Sequence, residues 1–247
     1  MDLIETGALL MNTLALTAIV FVASTLQAAT GFGFAIMATP FLLLLFDAHN
    51  AIQLNIILSL IISLIMVYNV RHEIDLKILS HLIKGGLIGV IPGLLVFTFL
   101  DIRPLKILVS ILILISTGLL IAKIKLKQSN LKELVTGMFS GSLTTSIGMP
   151  GPPLMIYFAG AEVDKATIRA TTLAYFIFVS LITFLLQFIV YHSSSILWKS
   201  TLWSIPFVIL GILLGQWLYA RLNQRFLQRI IYLLLLTTGL YLLFTTI

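Results

Sequence analysis

The chain has no cysteine in its 247 residues, and Lys, Arg, Asp and Glu together make up only 10% of it. The first absence removes disulfides, thiol catalysis and cysteine-based metal sites, and it leaves the redox compartment unread. The second removes the soluble classes, because a soluble domain carries about a quarter charged residues. No Lys or Arg precedes Arg71, so the basic start of a cleaved signal peptide is missing and none is expected. Segments of about ten residues with period-2 alternation, the mark of a membrane β-barrel, are missing too. No G-x-x-x-x-G-K-[ST] sequence occurs, so ATP drive would require another subunit.

What is present is apolar: 60% of the residues are hydrophobic and the mean hydropathy is +1.12. The charges are clumped, leaving charge-free runs at 6–46, 48–70, 85–100, 107–122, 134–161, 170–198, 200–220 and 230–247. Most reach or approach the roughly 20 residues that a helix needs to cross a bilayer core. The chain therefore reads as an all-α polytopic membrane protein, one transmembrane domain over 1–247. The net charge of +6 fits basic helix ends in cytoplasmic loops, so no nucleic-acid partner is expected.

A single straight helix over 6–46 would run about 60 Å, twice the hydrocarbon core, so the chain must turn within it. Gly31 and Gly33 weaken the helix there and permit positive φ. A second break falls at Gly148-Met149-Pro150-Gly151-Pro152-Pro153, where the prolines cannot all lie in one regular helix. The expected helices are 7–29, 33–46, 49–70, 78–100 and 104–122, then 131–147, 151–161, 166–191, 200–219 and 227–246.

The two halves match at nearly fixed offsets. Gly31 and Gly148 are 117 residues apart, as are Asp47 and Asp164. At an offset of 122, Gly89-xxx-Gly93 pairs with Gly211-xxx-Gly215 and Arg103 with Arg225. An ordered run of matches indicates an internal duplication, with repeat 1 at about 7–122, a linker at 123–130 and repeat 2 at 131–247. If each broken segment crossed once, the fifteen Lys and Arg would split 8 to 7 between the two sides. If each enters and leaves on one side, they split 12 to 3, with only Arg103, Lys106 and Lys199 outside. The positive-inside rule prefers the second arrangement, which makes two inverted repeats, each a broken-helix hairpin followed by three transmembrane helices. Two full crossings in place of each hairpin have the same parity, so the count does not separate those forms.

Inverted repeats with interrupted helices recur in secondary transporters, whose broken helices form the substrate site. Each half-helix start presents unpaired N–H groups and the positive dipole end, an anion site that needs no buried charge. The candidate substrate-binding residues are Gln27, Thr30, Gly31, Phe32, Gly33 and Phe34 at the first tip. At the second they are Thr145, Ser146, Gly148, Met149, Pro150, Gly151 and Pro152, with Thr144 as a further hydroxyl. The plainer reading of such glycines and prolines is close helix packing. Their paired occurrence in an inverted duplication favours a site.

Arg169 and Thr172, with Asn55 as the repeat counterpart of Thr172, complete the candidate set. Arg169 could meet an oxyanion through forked hydrogen bonds, or it could be an interfacial arginine of a cytoplasmic loop. Asp47 and Asp164 are expected to cap the helices that follow them, with proton coupling the sharper alternative. His81 and Lys84 are expected to snorkel to the interface. His49 and His192 are isolated, and no metal-ligand spacing occurs. The Gly85-Gly89-Gly93 and Gly137-Gly141 series read as packing faces. His192-Ser193-Ser194-Ser195 reads as a short outer loop rather than a nucleophile. An intramembrane enzyme would need an acid, base or nucleophile cluster within the spans, and the charge-free runs supply none.

At these residues the chain resembles the TauE/SafE sulfite-exporter family, also called the toluenesulfonate-uptake permease family. The marks are Ala29-Thr30-Gly31-Phe32-Gly33-Phe34 with Pro40, Asp47 with the Asn50–Asn55 segment, and Gly148-Met149-Pro150-Gly151-Pro152-Pro153. Ile168-Arg169-Ala170-Thr171-Thr172 and Gly211-xxx-Gly215 also fit. The resemblance covers nearly the whole chain. It implies about eight spans in two repeats, multi-pass residence in the cytoplasmic (inner) membrane, and movement of sulfite, sulfonates or related small anions, often outward. The first motif is usually richer in glycine than here, where Phe34 and Ala35 follow Gly33. The expected partners are thus a small anionic substrate and the lipid bilayer, with a proton or sodium as candidate coupling ion. No cofactor is expected.

Overall fold

The computed structural model describes residues 3–99, 102–121, 128–161, 163–191 and 193–221, and seven helical positions between 233 and 244. Among the described residues it is all-helical, without a strand. The order is α1 (Leu3–Thr30), α2 (Phe34–Leu45), α3 (Ala48–Val70), a 3-10 turn (Arg71–Glu73), α4 (Leu76–Phe99) and α5 (Ile102–Ile121). Then come α6 (Asn130–Ile147), α7 (Gly151–Gly160), α8 (Lys165–Val190) and α9 (Ser195–Arg221). Five segments are long and apolar enough to cross a membrane: Met11–Thr30, Ala48–Glu73, Leu76–Phe99, Lys165–Val190 and Ser195–Arg221. The protein is thus a multi-pass membrane protein by length and composition of its helices.

The helix limits follow local chemistry. Asp47 accepts a bond from Asn50 N at 3.1 Å, and Asp164 accepts from Ala166 N and Thr167 N, each at 3.0 Å. Both aspartates are N-caps, as their position before each helix suggested. The bond from the Thr167 side chain, then its backbone N–H, hold the Asp164 carboxyl below its usual value. That cap is therefore charged at neutral pH and is lost only as pH falls through the lowered value. The ninth expected helix, 200–219, starts at Ser195 instead, because Ser194 Oγ accepts from Leu197 N and caps it. The tenth, 227–246, and the linker 123–130 lie mostly outside the described residues.

The two broken segments are helix–half-helix pairs. α2 has 12 residues and α7 has 10, so they run about 18 and 15 Å. Neither is long enough to cross a core of roughly 30 Å. α3 and α8 pack antiparallel at the centre. At one end Gln53 Nε2 donates to Tyr191 O at 3.2 Å, and at the other Asp75 N donates to Thr171 Oγ1 at 3.0 Å. α4 packs along α6, and α9 along α1.

Glycines set these two outer pairings. A Cβ on Gly85, Gly89 or Gly93 would lie 1.9, 1.9 or 2.3 Å from the carbonyl oxygens of Leu134, Met138 and Ser142. From the other side Gly137 and Gly141 face Leu82 O and Gly86 O. Likewise a Cβ on Gly211 would lie 2.8 Å from Phe21 O, and one on Gly215 2.4 Å from Thr25 O. Backbone meets backbone, so dispersion contacts and close approach replace the missing hydrophobic drive between helices in lipid.

Gly89→Ala and Gly211→Ala should each force these helices apart and cost about 1–3 kcal/mol. Gly118→Ala, where a Cβ would meet nothing within 4 Å, should not. Thermal unfolding of the purified protein in detergent measures the difference.

Candidate functional site

The first tip is built by two glycines in conformations that L-residues with a Cβ avoid. Gly31 has φ 86° and Gly33 has φ 124°. α1 ends as Gly31 N donates to Gln27 O at 2.8 Å. Thr30 Oγ1 folds over the turn, donating to Leu26 O and touching Phe32 O, while it accepts from Phe32 N. The second tip is a Schellman-type ending. Gly148 sits at φ 72°, its N–H donates to Thr144 O, and Met149 N donates to Leu143 O.

Each tip rests on the second turn of a central helix. A Cβ on Gly31 would lie 3.0 Å from Arg169 Cα on α8. One on Gly148 would lie 2.8 Å from Asn55 Nδ2 and 3.4 Å from Ile52 O on α3. Since α3 and α8 are antiparallel, the tips come from opposite ends, and between them Gly151 packs against Ile36 and Phe32.

The tip carbonyls are supplied with donors. Arg169 Nη2 donates to Ala28 O at 2.6 Å, Asn55 Nδ2 to Gly148 O at 2.6 Å, and Ser140 Oγ to Pro150 O at 2.7 Å. The tip N–H groups are not supplied with acceptors. The first intrahelical bond of α2 is Met37 N to Gly33 O, and Gly33 has no side chain to cap with. The N–H groups of Gly33, Phe34, Ala35 and Ile36 are therefore unclaimed. α7 differs from the symmetric expectation. Its N-cap is Pro150, and Pro152 and Pro153 follow Gly151, so Gly151 alone offers a free N–H in its first turn.

Several buried side-chain atoms have no protein partner: Asn55 Oδ1 and Arg169 Nε beside the tips, and Thr172 Oγ1, Thr39 Oγ1 and Gln187 Oε1 elsewhere on α8 and α2. The bond from Asn55 Nδ2 to Gly148 O fixes which way that amide faces. Unsatisfied buried polar groups are uncommon, so each marks a place where a polar ligand or water belongs.

The structure sorts the expected residues. Arg169 meets the first tip at Gly31, Asn55 meets the second at Gly148, and Gly151 meets Phe32 and Ile36 at the start of α2. Arg169 is 7% exposed, with its guanidinium 4.2 Å over the Tyr219 ring, so it is buried against the first tip. Gln27 is fully engaged elsewhere: Nε2 donates to Ser59 O and Ser63 Oγ, and Oε1 accepts from Ser59 Oγ. It clamps α1 to α3 and does not point into the gap. Thr30 is consumed by its own turn. Thr145 Oγ1 bonds Gly141 O and Thr183 Oγ1, and Gln187 Nε2 donates to Thr145 O at 2.8 Å. Ser146 and Thr144 bond the carbonyls four residues back. Met149, Pro150 and Phe34 are buried packing residues, Phe32 is half-buried against Gly151, and Pro152 is buried in α7's first turn.

Sequence reasoning missed Thr39, Tyr219 and the Ser59/Ser63 and Thr183/Gln187 pairs. The two pairs had a signal, polar residues at i, i+4 inside apolar runs. His81 does not snorkel alone as expected: its Nδ1 lies 2.9 Å from Glu133 Oε2. Lys84 is exposed, as expected, and no metal-ligand cluster occurs among the described residues.

Thr172→Val should leave stability unchanged, since its hydroxyl has no partner to lose. Thr145→Val should cost about 1 kcal/mol for its lost bonds. Thermal unfolding of the two variants side by side separates a ligand-directed hydroxyl from a structural one.

The model of one protein family matches residues 16–242, nearly the whole chain; its description is "Sulfite exporter TauE/SafE". No curated protein and no solved structure matches the chain.

Proposed function

The chain belongs to the sulfite exporter TauE/SafE family, and we propose that it is a secondary transporter of a small sulfur-containing or carboxylate anion such as sulfite or a sulfonate. The observation that carries this reading is the imbalance at the tips. Carbonyls there are bonded by Arg169, Asn55 and Ser140, while four consecutive N–H groups of α2 and that of Gly151 remain free. Free donors at the positive end of a helix dipole, two residues after the Gly31 that rests on the buried Arg169, suit an oxyanion. The prolines of α7 place most of the donors on the α2 side, so the anion sits nearest Gly33–Ile36, Thr172 and Arg169.

Alternating access follows if the two halves are inverted repeats, and the packing supports that reading. Gly31 rests on Arg169 and Gly148 on Ile52. Positions 31 and 148 are 117 apart, as are 52 and 169. Gly89 rests on Met138 and Gly211 on Phe21, where 138 and 21 again differ by 117. Asn55, whose Oδ1 lacks a partner, and Thr172, whose hydroxyl lacks one, hold equivalent positions as well. On this reading the tips are the fixed site and one half rocks against the other. Outward movement across the cytoplasmic membrane is the direction that the family description suggests. We read the protein as a carrier and not an enzyme, because the tips hold donors and no nucleophile–base pair.

The test is flux in proteoliposomes over a panel of sulfite, sulfonates and carboxylates. The expected result is saturable movement of at least one anion, with Thr172→Val raising its half-saturation roughly tenfold, the worth of about one hydrogen bond. Gly33→Leu, which strains a positive φ, and Gly151→Leu, which fills the gap to Ile36, should abolish flux without preventing membrane insertion. Absence of flux across the panel, or normal flux in both leucine variants, would overturn the reading. The rival, a channel-like protein or assembly factor without coupled transport, is separated by counterflow: a carrier shows trans-stimulation and a pore does not.

A further inference from the structure

Away from the tips, one carboxylate is buried where its neighbours are not. In the first turn of α6 the residues Asn130, Leu131 and Lys132 are exposed, yet Glu133 is turned inward and is 4% exposed. Tyr157 OH, on α7, donates to Glu133 Oε1 at 2.9 Å, and His81 Nδ1, on α4, lies 2.9 Å from Glu133 Oε2. His81 is 19% exposed at its side chain, so it connects the buried carboxylate with the surface. A favourable helix dipole would reward an acid in this turn without burying it. An ionisable group held in such a place carries a functional expectation.

The corresponding corner of the other half is apolar. At the offsets of 117 and 122, Glu133, Tyr157 and His81 correspond to Leu16, Pro40 and Trp203. That corner packs α9 along α1 with none of the three equivalent positions titratable, so the architecture does not need an acid there. We propose that Glu133, His81 and Tyr157 form a proton-binding site that couples a pH gradient to anion movement. The inference rests on the transporter reading above and adds its coupling ion.

The mechanical link is α7. Its first turn carries Gly151 at the anion site, and Tyr157 two turns later holds the same half-helix to α6. With His81 protonated and Glu133 ionised, the three groups form an ion pair and a charge-assisted hydrogen bond that dock α7. When a second proton neutralises Glu133, the bond from Tyr157 loses its charge assistance and the ion pair is gone, which frees α7 to move with its half. The proton arrives at and leaves from His81, the member in contact with the surface. The other charged groups on the packed elements are Asp75 in the turn before α4, Lys77 and Lys84 on α4, Lys132 on α6, Asp164 and Lys165 at the start of α8, and Arg169 one turn further, which lies over the Tyr219 ring. Lys77, Lys84, Lys132, Asp164 and Lys165 are exposed, and Asp75 is half-buried with its carboxylate bonded to the N–H groups of Lys77 and Ile78.

Glu133→Gln tests this, because the amide keeps the size and the acceptor for Tyr157 but cannot take a proton in this range. The protein is reconstituted with the anion that the flux panel identifies, and two readouts are taken: counterflow at equal pH, and uptake driven by an imposed pH gradient with an internal pH dye. The wild type should show both, with anion-dependent proton movement. The variant should keep counterflow within about twofold and lose gradient-driven uptake and proton movement by at least tenfold. Gradient-driven uptake in the variant at the wild-type level would overturn the proposal, as would a wild type that shows counterflow without any response to pH. A wild type without counterflow would instead overturn the transporter reading itself. Should Glu133→Gln not fold, His81→Gln carries the same two readouts, and an unchanged pH dependence there overturns the proposal.

Discussion

Backbone polar groups at membrane depth have no water to fall back on, and every break in a helix exposes some of them. This chain breaks two helices, at Gly31–Gly33 and at Gly148–Pro150. The rest of the structure answers those breaks. Arg169, Asn55 and Ser140 reach the exposed carbonyls from three different helices, and Thr30 covers its own turn. The repair is one-sided. The broken backbone's carbonyls are served and its N–H groups at the start of α2 are left, which suits that turn to negative charge.

The halves are not equal partners in that site. Gly31 rests against an arginine, where Gly148 rests against an isoleucine. α2 begins with four free N–H groups, whereas α7 begins with prolines. The two tips thus differ in what they offer a ligand. The titratable corner of Glu133, His81 and Tyr157 adds a second asymmetry, since its counterpart is Leu16, Trp203 and Pro40.

Features determined within a few residues were legible in the sequence. The glycine turns, the Asp47 and Asp164 caps and the close-packed glycine faces all appear where their local chemistry placed them. The first nine expected helices agree with the described ones except at Ser195, where a serine cap lay inside a run read as loop. Side-chain partnerships across the fold were not legible. Gln27 looked free because nothing in its own segment announces Ser59 and Ser63, more than thirty residues away. Glu133 was visible only as the edge of a charge-free run, and its partner His81 lies on another helix. Arg169 was open between an oxyanion contact and an interfacial arginine, and only the packing of Gly31 and Tyr219 around it reveals its burial.

The central claim is the location of the anion, and the most direct measurement is anomalous diffraction from crystals grown with a bromoalkylsulfonate that the protein transports. The expected result is a bromine peak a few ångströms beyond a sulfonate held by the N–H groups at Phe34–Ile36, beside Thr172 and the Arg169 Nε. A peak elsewhere in the fold, with none at this turn, would contradict the assignment of the site to the half-helix ends.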